Sequence, residues 1–259
     1  MTASDARKRL GVLAPFVIAA IAITAGVAIT RQDQSSATTP SPSAPTLGPV
    51  TSAPSATASP LHVSASDVTR IYLPSGDPKM EINTVVRPII QQDRSIPDGD
   101  CRTVIEPAVS GSSRTGVFQC TNFASPSTRP AGSVVLAGHQ SVDHYWNTVF
   151  DHLSCTPKGC GPFPQSAGCS PQRRALVGRE VFLQTKTSGR YWFAYKVTQV
   201  HCPSKRTDAD LAEKEALWKP TAGRLLLVTC LEQQGLNVSA SNNLIVQAEQ
   251  QGISSSTRR

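Results

Sequence analysis

Between Leu61 and Ile253 the apolar positions fall into eight short runs, each closed by turn-forming residues. VTRIYL (Val68–Leu73) and INTVV (Ile82–Val86) come first, each followed closely by a proline. GVFQCTN (Gly116–Asn122) and SVVLA (Ser133–Ala137) follow, separated by the turn-rich ASPSTRPAG. EVFLQTKT (Glu180–Thr187), a Ser188-Gly189 turn and RYWFAYKVTQV (Arg190–Val200) read as a hairpin. Its alternation sets Tyr191, Phe193 and Tyr195 on one face, as a core or barrel wall does. RLLLVTC (Arg224–Cys230) and NLIVQA (Asn243–Ala248) complete the set. Two stretches have helical spacing, HYWNTVFDHL (His144–Leu153) and DADLAEKEAL (Asp208–Leu217), the second opening on acidic residues that suit a helix N-terminus. Regularly spaced strands with turn signals predict a mainly β fold, a closed barrel or sandwich with two or more short helices, in preference to a parallel sheet. No internal repeat is visible.

Upstream the pattern changes twice. Arg7-Lys8-Arg9 precede an uncharged run from Leu10 to Thr30, long enough as a helix to cross roughly 30 Å of hydrocarbon. The positive flank puts residues 1–9 in the cytoplasm, 10–30 in the membrane and the rest outside the cell. A cleaved signal peptide is the competing reading, but its apolar region is usually shorter, and Gly26-Val27-Ala28 is a poor cleavage site. Residues 31–60 are nearly all Ser, Thr, Ala and Pro, without aromatic residues or apolar periodicity. Such a segment cannot offset its ordering entropy by burial, and reads as an extended tether. Residues 61–253 suffice for one domain with a core, and 254–259 form a tail.

Composition alters this picture in one respect. The net charge of +7 invites a nucleic-acid reading. Arg7, Lys8, Arg9 and Arg31 against Asp5 and Asp33, with Arg258 and Arg259 at the tail, account for +4 of it. The folded part keeps +3 and shows no basic stripe, so nucleic acid is not expected as a partner.

The seven cysteines are Cys101, Cys120, Cys155, Cys160, Cys169, Cys202 and Cys230. Outside the cell an even set forms disulfides. Cys101 with Cys120 is the first pairing expected, with Cys155, Cys160, Cys169 and Cys202 joining among themselves. A zinc site of His152, Cys155, Cys160 and Cys169 has acceptable spacing, but the oxidising compartment favours bridges, and no metal or cofactor is expected. Cys230 stands apart, ending an apolar strand far from any other cysteine.

A thiol kept outside the cell invites nucleophilic chemistry, which needs a base or acid beside it. Of the five histidines, His62, His144, His152 and His201 suit surface or packing roles. His139 closes SVVLAGH, where another buried strand emerges into a loop, and Gly138 before it leaves room for close approach of a substrate or backbone. Two strands of one barrel, each delivering a reactive residue at its end, make a catalytic pair.

AGH (Ala137–His139), followed much later by LVTC (Leu227–Cys230), resembles the sortases, membrane-anchored cysteine transpeptidases of Gram-positive surfaces. The resemblance runs from about Val68 to Glu249 and takes in Pro74, NTVFDHL, the hairpin, the N-terminal anchor and the linker. A class E or class F-like member is its nearest form. It implies a closed eight-stranded barrel in which Cys230 attacks a Thr–Gly carbonyl of a sorting-signal peptide and forms a thioester. His139 would protonate the departing amine and later accept a proton from the incoming nucleophile. An amine of a cell-wall precursor or a pilin would resolve the thioester. Gly138, Thr229 and Asn242 would line the site.

The sequence also departs from the family. The family carries an arginine at the start of the last strand, where SNNLIVQAE has Asn243 with Asn242 beside it. Leu226 replaces the first Thr of TLxTC. An asparagine amide can donate to an oxyanion, but it lacks the charge and reach of guanidinium. Arg224 lies about 20 Å back along its strand, leaving Arg129 or Arg114 as loop substitutes. Three readings follow: an active transpeptidase using Asn243 or a loop arginine, a sortase-fold peptide binder with little turnover, and a disulfide-stapled surface module with a buried Cys230.

Overall fold

The computed structural model describes residues 61–90, 101, 116–140, 148–156, 159–160, 163–164, 168–204, 215–231, 233–234 and 242–256. The N-terminal anchor and linker expected from the sequence lie outside these residues. No helix among the described residues is long and apolar enough to cross a membrane.

Eight strands close into a barrel. They are β1 (Val68–Leu73), β2 (Ile82–Pro88), β3 (Val117–Gln119), β4 (Val134–Gly138), β8 (Glu180–Thr185), β9 (Trp192–His201), β10 (Arg224–Leu231) and β12 (Asn242–Ser254). Four two-residue strands lie off the barrel: β5 (Cys155–Thr156), β6 (Gly159–Cys160), β7 (Phe163–Pro164) and β11 (Gln233–Gln234). The barrel order is β1-β2-β3-β4-β10-β12-β9-β8. β2 with β3 and β4 with β10 run parallel, and the other pairs are antiparallel. All eight predicted strands are barrel strands. β12 runs on to Ser254, its polar second half held by pairing with β9 rather than by apolar alternation.

One face of each strand fills the barrel. Ile71, Leu73, Leu136, Leu183, Phe193, Tyr195, Leu225, Leu227, Leu244 and Val246 belong to this interior and are fully buried. A second apolar layer covers the outside of β3, β4, β10 and β12, with Phe118, Val135, Ala137, Leu226, Val228 and Ile245 under Ile89, Cys101 and Leu217. β4 and β10 are therefore buried on both faces, which is why SVVLAG and LLLVT read as continuous apolar runs and not as alternating ones. The hairpin turn between β8 and β9 places Gly189 at φ +56°, a left-handed conformation that glycine adopts without steric cost.

The helices depart from expectation. Within His144–Leu153, the described part is a 3-10 helix at Val149–Ser154, with 144–147 outside the described residues. Residues 215–218 at the end of the second predicted helix are helical, and 208–214 lie outside. An unforeseen helix, α1 (Ser170–Leu176), begins just after Cys169. Cys101 is bridged to Cys120, and Cys169 to Cys202. Cys155 is also disulfide-bonded, and it stands opposite Cys160 in the small β5–β6 sheet. With Cys155 and Cys169 so engaged, the alternative zinc set of His152, Cys155, Cys160 and Cys169 is not available.

Candidate active site

Strand register sets the candidate site. β10 pairs with β4 through Leu225–Val134, Leu226–Val135, Leu227–Leu136 and Val228–Ala137. The ladder ends there, and the same register carried two steps further would set Cys230 opposite His139, just past the end of β4. On its other side Cys230 is the direct partner of Asn243 in β12. The Asn243 amide N–H points away from β10, donating to the Pro203 carbonyl at 3.0 Å. That makes Cys230 and Asn243 a non-hydrogen-bonded pair, the closer of the two antiparallel types, with Cα atoms typically ~4.5 Å apart. Three adjacent strands thus deliver His139, Cys230 and Asn243 at one level, with the cysteine in the middle.

Alternation decides which way they face. His139 follows Val135 and Ala137 at two-residue steps, Cys230 follows Leu226 and Val228, and Asn243 precedes Ile245. All five of those apolar residues belong to the outer layer. His139, Cys230 and Asn243 therefore share the outer face at the barrel rim. Each is half-buried. Cys230 is the thiol left outside the disulfides among the described residues.

The histidine strand end is held from behind. The Thr148 hydroxyl donates to the His139 carbonyl at 2.6 Å, and the Thr148 N–H donates to Asp151 Oδ2 at 3.0 Å. Buried Gln140 donates to Ser154 Oγ at 2.8 Å. The 3-10 helix and its N-cap thus hold the His139 carbonyl and the residue that follows it. Thr148 was not singled out in the sequence, although T-x-x-D is a recognisable helix-start signal.

The flanking residues take other roles than the sequence suggested. A Cβ on Gly138 would lie 2.8 Å from Phe150 Cδ2 and 3.0 Å from Phe150 Cγ, so the glycine makes room for an internal aromatic ring. Thr229 shares the interior face with Leu227 and Leu231, is 2% exposed, and its hydroxyl has no hydrogen-bond partner. It points away from the Cys230 face. Asn242 also alternates away from that face, and its amide donates to the Cys202 carbonyl at 3.0 Å.

Neither described arginine considered as a substitute reaches the site. Arg224 begins β10 at the far rim, where its guanidinium donates to the Leu217 and Lys219 carbonyls; burial lowers its pKa. Arg129 is exposed beside Pro130, which packs near Gly223 at that same far rim. Arg114 lies outside the described residues.

Residues 95–251, more than half of the chain, match the family of sortase domains. This chain belongs to the sortase family, whose members are generally cysteine transpeptidases. β1 and β2 precede the matched segment and complete the barrel through β3 and β8. Among solved structures, the SrtA sortase of Actinomyces oris is similar at 14% identity, covering 78% of this chain and 93% of that one, with a TM-score of 0.44. Listeria monocytogenes sortase A is similar at 13% identity, over 75% and 93% of the two chains, with a TM-score of 0.39. Streptococcus agalactiae sortase C1 is similar at 14% identity and a TM-score of 0.38; the match covers 70% of this chain and 65% of that protein's length. No curated protein sequence matches.

Proposed function

We propose that this chain is a membrane-anchored transpeptidase that cleaves a sorting-signal peptide through a thioester on Cys230 and passes the acyl group to an amine. The observation that carries the reading is the register of β4, β10 and β12, which sets His139 and Asn243 on either side of Cys230. The Cys230 thiolate attacks the carbonyl carbon of the scissile Thr–Gly bond. The C–N bond breaks as His139 gives its proton to the departing amine, leaving the thioester. An incoming amine of a cell-wall precursor or a pilin attacks that thioester while His139 takes up its proton, and the thiolate is released. Asn243 stands where the family's arginine is expected and offers an amide N–H to the developing oxyanion. Losing a donor of that kind typically costs ~10²–10³ in rate. The subclass is class E or F-like. Residues 10–30 hold the chain in the membrane, N-terminus inside, and 31–60 tether the catalytic domain outside.

A second reading, a sortase-fold peptide binder with little turnover, draws on one observation: Arg224 and Arg129 both sit at the far rim. Turnover of a sorting-motif peptide with an added amine separates the two. A product joined to the amine, lost in Cys230→Ala and in His139→Ala, supports transpeptidation. Binding without product, with product appearing in Asn243→Arg, supports the binder.

A further inference from the structure

The regular β9–β12 ladder reaches its end at His201 opposite Ile245. The first two residues of β12, Asn242 and Asn243, are instead held by the segment that follows β9. Pro203 accepts the Asn243 N–H at 3.0 Å, Cys202 accepts the Asn242 side-chain amide at 3.0 Å, and Ser204 bridges to Asn242. On their other side Asn243 and Asn242 pair with Cys230 and Leu231. The start of β12 is thus clamped between the reactive strand and a three-residue strap, Cys202-Pro203-Ser204. A strand terminus without such a clamp frays at little cost. Pro203 is buried and has no N–H to donate, so it gives one carbonyl to Asn243 without a reciprocal ladder bond, and Ser204 resumes the pairing at Asn242.

The strap is itself held in place. Cys202 is bridged to Cys169, immediately before α1, with the Cα atoms 5.6 Å apart. Arg173 of α1 donates to the Val200 carbonyl at 3.1 Å, next to the strap. A covalent link and hydrogen bonds therefore run from α1 through Cys202 and Pro203 to the backbone of Asn243, opposite the thiol. Cys169 also belongs to the barrel core, with Cys202 packed against it, so the bridge joins the strap to the folded interior.

We infer that the Cys169–Cys202 disulfide and Asn242 position Asn243 against Cys230, with Asn242 as a positioning residue and not a substrate contact. The inference rests on the reading of His139, Cys230 and Asn243 as the reacting set. A shift of about 1 Å at a reacting group can cost ~10² in rate, so the strap acts on chemistry more than on substrate affinity.

The test uses the full chain with Cys169→Ser/Cys202→Ser, Asn242→Asp and Asn242→Gln. The aspartate keeps the side chain's shape but cannot donate to the Cys202 carbonyl, whereas glutamine retains a donor. Two readouts are taken: kcat and KM on a sorting-signal peptide, and the pH profile of Cys230 alkylation by iodoacetamide, which needs no substrate. Expected are kcat losses of ~10- to 100-fold with KM within about threefold for the double variant and the aspartate, and partial recovery in the glutamine. The alkylation profile shifts in the first two variants and not in the third. Unchanged kcat and an unchanged profile in a folded Asn242→Asp overturn the inference, and that variant decides the matter if the double variant does not fold. If the wild type turns over no peptide, the transpeptidase reading fails on its own. The alkylation profiles still decide positioning: a shift supports it and identical profiles refute it.

Discussion

Replacing Gly138 by alanine separates two reasons for having a glycine before His139. If the glycine admits substrate, alanine lowers turnover and leaves stability alone. If it admits Phe150, alanine strains the core. The added Cβ would sit 2.8 and 3.0 Å from two ring atoms of Phe150 and 3.3 Å from the Gly116 carbonyl oxygen, against an optimal carbon–carbon separation of ~3.5–4.0 Å. Phe150 is fully buried in the barrel cluster and has no free direction in which to retreat. Overpacking of this kind costs ~1–3 kcal/mol. For a folded domain of this size each kcal/mol lowers Tm by about 2–4 °C, so a fall of about 2–12 °C is expected. Thermal unfolding followed by near-ultraviolet circular dichroism measures it. Gly138→Ala/Phe150→Leu should be less destabilised than the two single changes together, because the shortened side chain leaves space for the methyl. A Gly138→Ala protein that melts with the wild type, shows no coupling to Phe150→Leu and yet loses turnover would refute the packing argument and restore the substrate-approach reading.

Gln119 is buried between β1 and the following loop, accepting from the Val68 N–H at 2.7 Å and donating to Ser125 at 3.2 Å. Gln119→Leu should cost ~1–3 kcal/mol in urea unfolding, since it orphans a buried N–H. Cys101→Ser/Cys120→Ser opens a loop of 19 residues and should lose about 3 kcal/mol in the same measurement. His152, half-buried on the 3-10 helix, has its pKa lowered chiefly by burial, with Asp151 and a backbone hydrogen bond to Glu81 opposing. A lowered folded-state pKa means that the unfolded chain binds more protons, so this stability is complete above about pH 6.5 and is lost as the pH falls through that value. Melting curves between pH 7.5 and 5.5 should therefore decline less steeply in His152→Gln than in the wild type.

The strands were legible because β4 and β10, buried on both faces, cannot alternate, while the strands of the β8–β9 hairpin carry apolar alternation and a Ser-Gly turn. The placing of His139 and Cys230 at strand ends was legible for the same reason, since each residue ends such a run. Helix α1 was missed because SPQRRAL buries only Gln172 and Leu176 and carries almost no apolar period. The second half of β12 was missed because EQQGIS takes its order from β9 and not from its own side chains. Gly138, Thr229 and Asn242 were read as site residues from their neighbours in sequence. Two-residue alternation turns Thr229 and Asn242 to the other face, and Gly138 is explained by a phenylalanine twelve positions on that no local pattern links to it. The strap at Cys202-Pro203 depends on a bridge across 33 residues, which spacing alone does not select among the available pairings.

The central claim is that register carries Cys230 and His139 to facing positions on one side of the barrel. A cysteine placed at 139 tests it directly, because disulfides form only when the Cα atoms lie within about 4.4–6.8 Å. His139→Cys, mildly oxidised and digested without reduction, should yield a peptide joining positions 139 and 230, with the Cys101–Cys120 and Cys169–Cys202 bridges intact. A thiol at 139 that stays unlinked to Cys230, while both remain open to alkylation, would contradict the account.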